Sequence, residues 1–273
     1  MTELTNASAA LRADVASRRI PDRALGMWWL GQASFILKGG GATVYVDPYL
    51  AESPRRLVPP PLRPEDVTDA DLVICTHDHG DHIDPRSLPG IAAASPQAKI
   101  LVPGVARDRV LGFGIDPARV IVPPVDAPLT FGPITVTAIP AAHEDLDYTP
   151  EQGYPYLGYV VKLNGVVAYH SGDCCMYEGL IERLQQHQPD VAMLPINGHD
   201  WKRLRERCIG NMTYREAADL ADEVGFDVTI PMHYGMFRNN HEPPGNFVNY
   251  VLEFYPTRKV QVMARYGGFV YLK

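Results

Sequence analysis

The sequence predicts an α/β fold in which two sheets are covered by helices. Three observations carry this prediction. Strand signals at the start give way to alternating strand and helix patterns. A short internal echo relates the two halves of the chain. Several apolar strands end in residues able to ligate a metal. With 273 residues and 46% hydrophobic composition, the chain can bury a sizeable core, and α/β chains of this length are often one domain.

The elements follow in order. Met1 to Arg19 is rich in Ala, with Glu3, Asp14 and several Arg. It lacks the apolar stretch of a signal peptide. Residues 7–18 are expected to form a short helix outside the core, within an N-terminal extension of 1–24. Met27–Leu30, Ser34–Leu37 and Thr43–Val46 read as an antiparallel meander, with Gly39-Gly40-Gly41 between the last two strands. Pro and Arg then dominate to Pro64, as in a surface loop that could border a site. Asp71–Cys75 reads as a short buried strand, and Pro85 as the first helical residue before Ser87 and Leu88. Further strands are expected at Lys99–Val102, Val120–Val122, Leu129–Phe131 and Ile134–Ile139. Tyr159–Leu163 and Val166–His170 flank Asn164-Gly165 as a hairpin. Later strands fall at Val191–Leu194, Val228–Ile230, Val260–Val262 and Phe269–Leu272. Helices are expected at Leu88–Ala94, Val105–Leu111, Gly179–His187 and Phe247–Phe254. Another opens on the capping-box pattern Thr213-Tyr214-Arg215-Glu216. The echo sets Val44–Asp47 beside Val167–Asp173, and Asp71–Ile74 beside Asp190–Met193.

The densest chemistry is His77-Asp78-His79-Gly80-Asp81-His82-Ile83-Asp84, directly after the buried strand. In an extended loop, residues two apart point the same way, so His77 and His79 can face one ion. Gly80 lets the backbone turn, so Asp81 and His82 can face a second. First-row metals take imidazole and carboxylate together. Three later strands also end in metal-capable residues, at His143, Asp173 and His233. In two facing sheets all four strand ends can gather at one rim. Taken alone, His143 or His233 reads as a satisfied core histidine rather than a ligand.

The run His77-x-His79-x-Asp81-His82 resembles the signature of the metallo-β-lactamase fold, and the resemblance extends from about Trp28 to the C-terminus. It implies a four-layer αββα sandwich, with 1–273 as one domain, and two divalent metal ions (Mn or Zn, with Fe as a third choice). His77, His79 and His143 would hold one ion and Asp81, His82 and His233 the other, with Asp173 bridging. Asp81 and Asp173 would be the catalytic carboxylates, acting with a metal-bound hydroxide. Asp47 would orient a ligand imidazole, and His170 either does the same or makes a local hydrogen bond. The segments Trp29–Phe35, Val46–Tyr49, Tyr169–Asp173, Leu194–Gly198 and Ile230–Tyr234 are similar to the L-ascorbate-6-phosphate lactonase branch. That branch implies hydrolysis of a small phosphorylated sugar-type lactone, and its members are often homo-oligomers. The alternatives are a phosphodiesterase of cyclic-nucleotide or phospholipid type on the same scaffold, or a non-hydrolytic redox metalloprotein.

Candidate substrate contacts are Asn197, His199, Arg203, Tyr154 and His241. Arg203 sits in a basic run with Lys202, Arg205 and Arg207, which suits a phosphate or a solvated helix face. Asn211 and Thr213 are neutral donors or helix caps, and Tyr156 with Tyr154 is a pocket wall or core packing. Net charge is −7, which argues against a broad nucleic-acid-binding face. No apolar run is long enough to span a membrane. Four cysteines (Cys75, Cys174, Cys175, Cys208) without metal or disulfide spacing fit a reduced, cytoplasmic compartment. Cys174 and Cys175 read as small buried hydrophobes or as soft groups near a metal.

Overall fold

A computed structural model describes residues 2–206 and 208–273, and it has the predicted two-sheet α/β architecture. The meander forms as β1 (Ala24–Gly31), β2 (Ser34–Gly39) and β3 (Ala42–Val46), paired antiparallel. Next, β4 (Leu72–Ile74), β5 (Lys99–Leu101) and β6 (Val120–Ile121) continue the sheet in parallel, and β14 (Gly268–Leu272) closes its other edge on β1. In the second sheet β7 (Pro128–Phe131), β8 (Ile134–Pro140), β9 (Leu157–Leu163) and β10 (Val166–His170) are antiparallel. There β11 (Val191–Pro195), β12 (Val228–Met232) and β13 (Lys259–Val260) follow in parallel. From β1 to β6 and from β8 to β13 the pairing directions are the same. The sequence echo falls on equivalent strands, β3 with β10 and β4 with β11.

Period-two alternation assembles the layers. Leu25, Met27, Trp29, Phe35, Leu37, Val44 and Val46 face the second sheet in the inner core. Their neighbours Trp28, Leu30, Ile36 and Tyr45 face outward into a second cluster. Burying each such side chain contributes about 1.5–3 kcal/mol, so a one-residue slip of register would expose a whole face. The outer cluster is covered by α2 (Leu88–Ala94) and α3 (Arg107–Leu111), through Leu88, Ile91 and Val110. On the second sheet, α4 (Leu180–His187) and α6 (Tyr214–Val224) contribute Leu180, Leu184, Ala217 and Leu220. The capping box opens α6 as expected: Thr213 accepts from the Glu216 N–H and Glu216 from the Thr213 N–H.

Two local expectations are corrected. Helix α1 runs Thr2–Ser17 and docks on the outer cluster through Leu11 and Val15 rather than standing apart. Pro85 lies in a turn and α2 starts at Leu88, with Pro89 in its first turn. A short helix, α5 (Trp201–Arg205), occupies part of the basic run. Finally, α7 (Pro244–Phe254) packs Phe247 and Val251 inward. Among the described residues no helix is long and apolar enough to cross a membrane.

Candidate metal centre

The segments leaving β4, β8, β10 and β12 converge at one rim of the sandwich. Ligand-type atoms of His77, His79, His143 and Asp173 lie within 4.8 Å of one another, and so do those of Asp81, His82 and His233. Asp173 stands between the two groups. Its Oδ1 is 3.1 Å from His233 Nε2 and 3.4 Å from His82 Nε2; its Oδ2 is 3.7 Å from His143 Nε2 and 4.0 Å from His77 Nε2. One carboxylate therefore faces both groups, one oxygen to each.

Backbone geometry is spent on this convergence. His233, Asp47 and Gln32 all adopt positive φ (62°, 44° and 53°), a costly conformation for non-glycine residues that collects at functional sites. Gly172, before Asp173, has φ 61°. A Cβ there would lie 2.8 Å from the Leu157 carbonyl oxygen and 2.9 Å from Thr76 Cβ, so only glycine fits the turn.

The imidazoles are held in defined tautomers. His82 donates from Nδ1 to Asp47 Oδ2 (2.7 Å), which leaves Nε2 facing Asp173. Asp47 also accepts from the Thr76 N–H (2.8 Å) and the Thr76 hydroxyl (2.7 Å). His143 donates from Nδ1 to the Gly210 carbonyl (3.0 Å). The Thr76 hydroxyl oxygen lies 3.0 Å from His77 Nδ1. His170 touches no imidazole of the centre. It donates to the Ala33 carbonyl (2.8 Å) and accepts from the Gly172 N–H (3.1 Å), which steadies the turn into Asp173. Both of its ring hydrogen bonds are to backbone groups.

The electrostatics suit cation binding. Burial pushes the His77 and His79 imidazoles down, and takes His143 to about 4. Burial would lower His82 as well, but Asp47, Asp173 and Asp81 outweigh it and raise it to about 10. Burial opposes charge on Asp173, yet His233 and His82 hold its carboxyl well below the ordinary range. His77 Nε2 and His79 Nδ1 face each other at 2.9 Å, an approach that a shared cation relieves. His82 Nε2 and Asp173 Oδ1 are buried without hydrogen-bond partners. Orphaned buried polar atoms in a mixed imidazole and carboxylate set fit one or two divalent first-row metals.

Gln32, at the end of β1, belongs to this centre although the sequence reading gave it no role. Its Nε2 donates to Asp81 Oδ2 (3.1 Å) and lies 2.9 Å from His233 Nε2. Tyr156 packs on the rings of His77, His79 and His143.

A cavity of about 1400 Å³ opens over the centre, where His79, Asp81, His143, Asp173 and His233 line it. The expected substrate contacts do not line it. Asn197 is buried and bonded to Asn240 and Asn211. His199 turns to the capping Glu216, and the His241 ring accepts from the Gly235 N–H. Arg203 pairs with Asp200 and donates to the His241 carbonyl. Tyr154 packs at a tilt against Tyr148, and Arg205 lies over Trp201. Short local partners capture these groups before they can reach the cavity; Arg207 lies outside the described residues. Cys174 is a core residue, and burial raises both the Cys174 and Cys175 thiols to about 12, as expected of inert buried hydrophobes. The cations over the centre are instead Arg55, Arg56, Arg86, Arg109 and Arg238. Arg55 and Arg56 belong to the Pro- and Arg-rich loop before Pro64, whereas Arg86, Arg109 and Arg238 had no sequence signal.

Comparison with known proteins agrees with this geometry. Residues 42–234 match the family model described as "Beta-lactamase superfamily domain". A UPF0173 metal-dependent hydrolase of Thermococcus kodakarensis is 30% identical over 226 residues, covering 80% of this chain and 88% of the relative. One from Hyperthermus butylicus is 30% identical over 248 residues, covering 86% and 94%. Among solved structures, Igni18, a metallo hydrolase from Ignicoccus hospitalis, superposes with a TM-score of 0.71 at 23% identity, covering 91% of this chain and 98% of that one.

Proposed function

We infer the chemistry of the centre from the premise that this chain belongs to the β-lactamase superfamily, among the metal-dependent hydrolases of the metallo-β-lactamase fold. We propose a binuclear hydrolase whose substrate is a small phosphorylated sugar-type lactone, with residues 1–273 acting as one catalytic unit in the cytoplasm. The observation that supports two ions is Asp173, whose two oxygens face two separate ligand groups. His77, His79 and His143 would hold one cation and Asp81, His82 and His233 the other. Bound there, the pair supplies Lewis acidity and brings the pKa of water to about 7.

The protein's own groups do the rest. Burial keeps His77 and His143 unprotonated and ready to ligate. Asp47 fixes the His82 tautomer. Asp81 faces the cavity with its side chain 22% exposed. Gln32 engages its Oδ2, which leaves Oδ1 to take a proton from the attacking water and pass it to the leaving oxygen. Tyr156 shields the imidazoles on one side.

The arginine-lined cavity equally suits a phosphodiester, the second reading. The test is metal analysis of the purified chain, then a screen over lactones and bis-p-nitrophenyl phosphate with Mn, Zn or Fe restored. Lactone turnover supports the first reading and diester turnover alone the second. No turnover of either class with any of the three metals refutes the hydrolase.

A further inference from the structure

On a chain of net charge −7, five arginines line one cavity. Three of them have partners. Arg86 lies 3.5 Å from Asp84, and Arg109 pairs with Asp78. Arg56 donates to the Val58 and Tyr49 carbonyls (2.9 and 3.1 Å) and stacks over the Tyr49 ring. Arg55 and Arg238 are left. Both are exposed, and neither guanidinium has an ion pair or hydrogen bond among the described residues.

Their placement is set by backbone pairing. Arg56 bridges Phe237 in antiparallel sense, and the Leu57 N–H donates to the Met236 carbonyl (2.8 Å). Arg55 and Arg238 are the turn residues directly beside this bridge, one on each of the two joined loops. Two guanidinium groups without counter-charges in one cavity repel. The loops nevertheless join here, beside Arg56, whose Nη2 is buried without a partner. An anion between the two side chains turns this repulsion into attraction.

We propose that Arg55 and Arg238 form a clamp for a phosphate monoester carried by the substrate, remote from the bond cleaved at the metal centre. This rests on the hydrolase reading above. Two planar forks match the three oxygens of a phosphate dianion, whereas one fork already satisfies a carboxylate. The five arginines outnumber the four carboxylates that also line the cavity, Asp81, Asp84, Asp173 and Glu206, and a cleft with a cationic excess draws anions in an acidic protein.

The test uses the full, metal-loaded chain and three probes that differ at one end: gluconate, glucarate and 6-phosphogluconate. Their shared carboxylate meets the metals alike, so calorimetry reads the far end. The wild type is expected to bind 6-phosphogluconate roughly 10- to 100-fold more tightly than gluconate. The double variant Arg55→Gln/Arg238→Gln is expected to lose that preference at an unchanged melting temperature, and Arg55→Lys/Arg238→Lys to keep part of it. The clamp is overturned if the wild type shows no preference, if the Gln variant retains it, or if glucarate gains as much as the phosphate. In parallel, kcat/KM is compared for glucono-δ-lactone and its 6-phosphate. Equal turnover of both sinks the clamp and leaves the hydrolase standing. Turnover of neither sinks the lactonase reading, and the binding preference alone then decides the clamp.

Discussion

Replacing Asp47 by Asn should disable half of the metal centre without touching any ligand. Asp47 is fully buried and accepts three hydrogen bonds, from the Thr76 N–H at 2.8 Å, the Thr76 hydroxyl at 2.7 Å and His82 Nδ1 at 2.7 Å. In Asp47→Asn the oxygen can stay with the Thr76 N–H, which puts the NH2 where Oδ2 was. That group is a donor and meets a donor on His82. The Thr76 hydroxyl can rotate away, but the imidazole can respond only by moving its proton from Nδ1 to Nε2. Nε2 is the atom 3.4 Å from Asp173 Oδ1, inside the second ligand group. Losses of this kind cost about 10- to 100-fold in metal affinity, or about 1.4–2.8 kcal/mol. His77, His79 and His143 make no hydrogen bond to Asp47, so their site should keep its affinity. Zinc titration against a chromophoric chelator should show two tight equivalents in the wild type, and one tight and one weakened in the variant. Two equivalents of wild-type affinity, or the loss of both together, would refute the reasoning.

Three further outcomes follow from the same geometry. Because its carboxylate neighbours raise His82 to about 10, the metal-free protein holds it as imidazolium near neutrality. Metal uptake should then expel about one proton per chain, read as a buffer-dependent calorimetric enthalpy; an enthalpy indifferent to the buffer contradicts this. In the metal-free protein His143 is lowered to about 4, so the unfolded chain binds its proton first. Stability should fall as pH drops from about 6.5 to about 4. The His82 contribution has the opposite sign and should be lost as pH rises through about 10; melting temperatures that stay flat across both windows count against these assignments. Thr213→Ala removes the α6 cap at about 1 kcal/mol, lowering Tm by roughly 2–4 °C with metal content unchanged, and an unmoved Tm would show that the cap is redundant.

Seven candidate ligands could be named from the sequence because the dense run from His77 resembles a family signature, which gives His143 and His233 a meaning that neither has alone. A buried strand ends and His or Asp follows within a few residues, and the density from His77 to Asp84 has few other uses. The strands were legible as short apolar runs because both of their faces are buried, and their arrangement in two facing sheets followed from the resemblance. What lines the cavity was not legible. The contiguous basic run around Arg203 looked like the anion site, yet Asp200 and the His241 carbonyl hold that side chain locally. Arg55, Arg86, Arg109 and Arg238 come from four separate segments. Gln32 carries no titratable group and lies 201 residues from His233 in sequence, so only the fold brings the two to 2.9 Å. Composition and spacing determine which groups can ligate and which strands are buried, because those depend on near neighbours. Which distant side chains share a cavity depends on how two sheets pack and how their loops pair, and that is decided only in the tertiary structure.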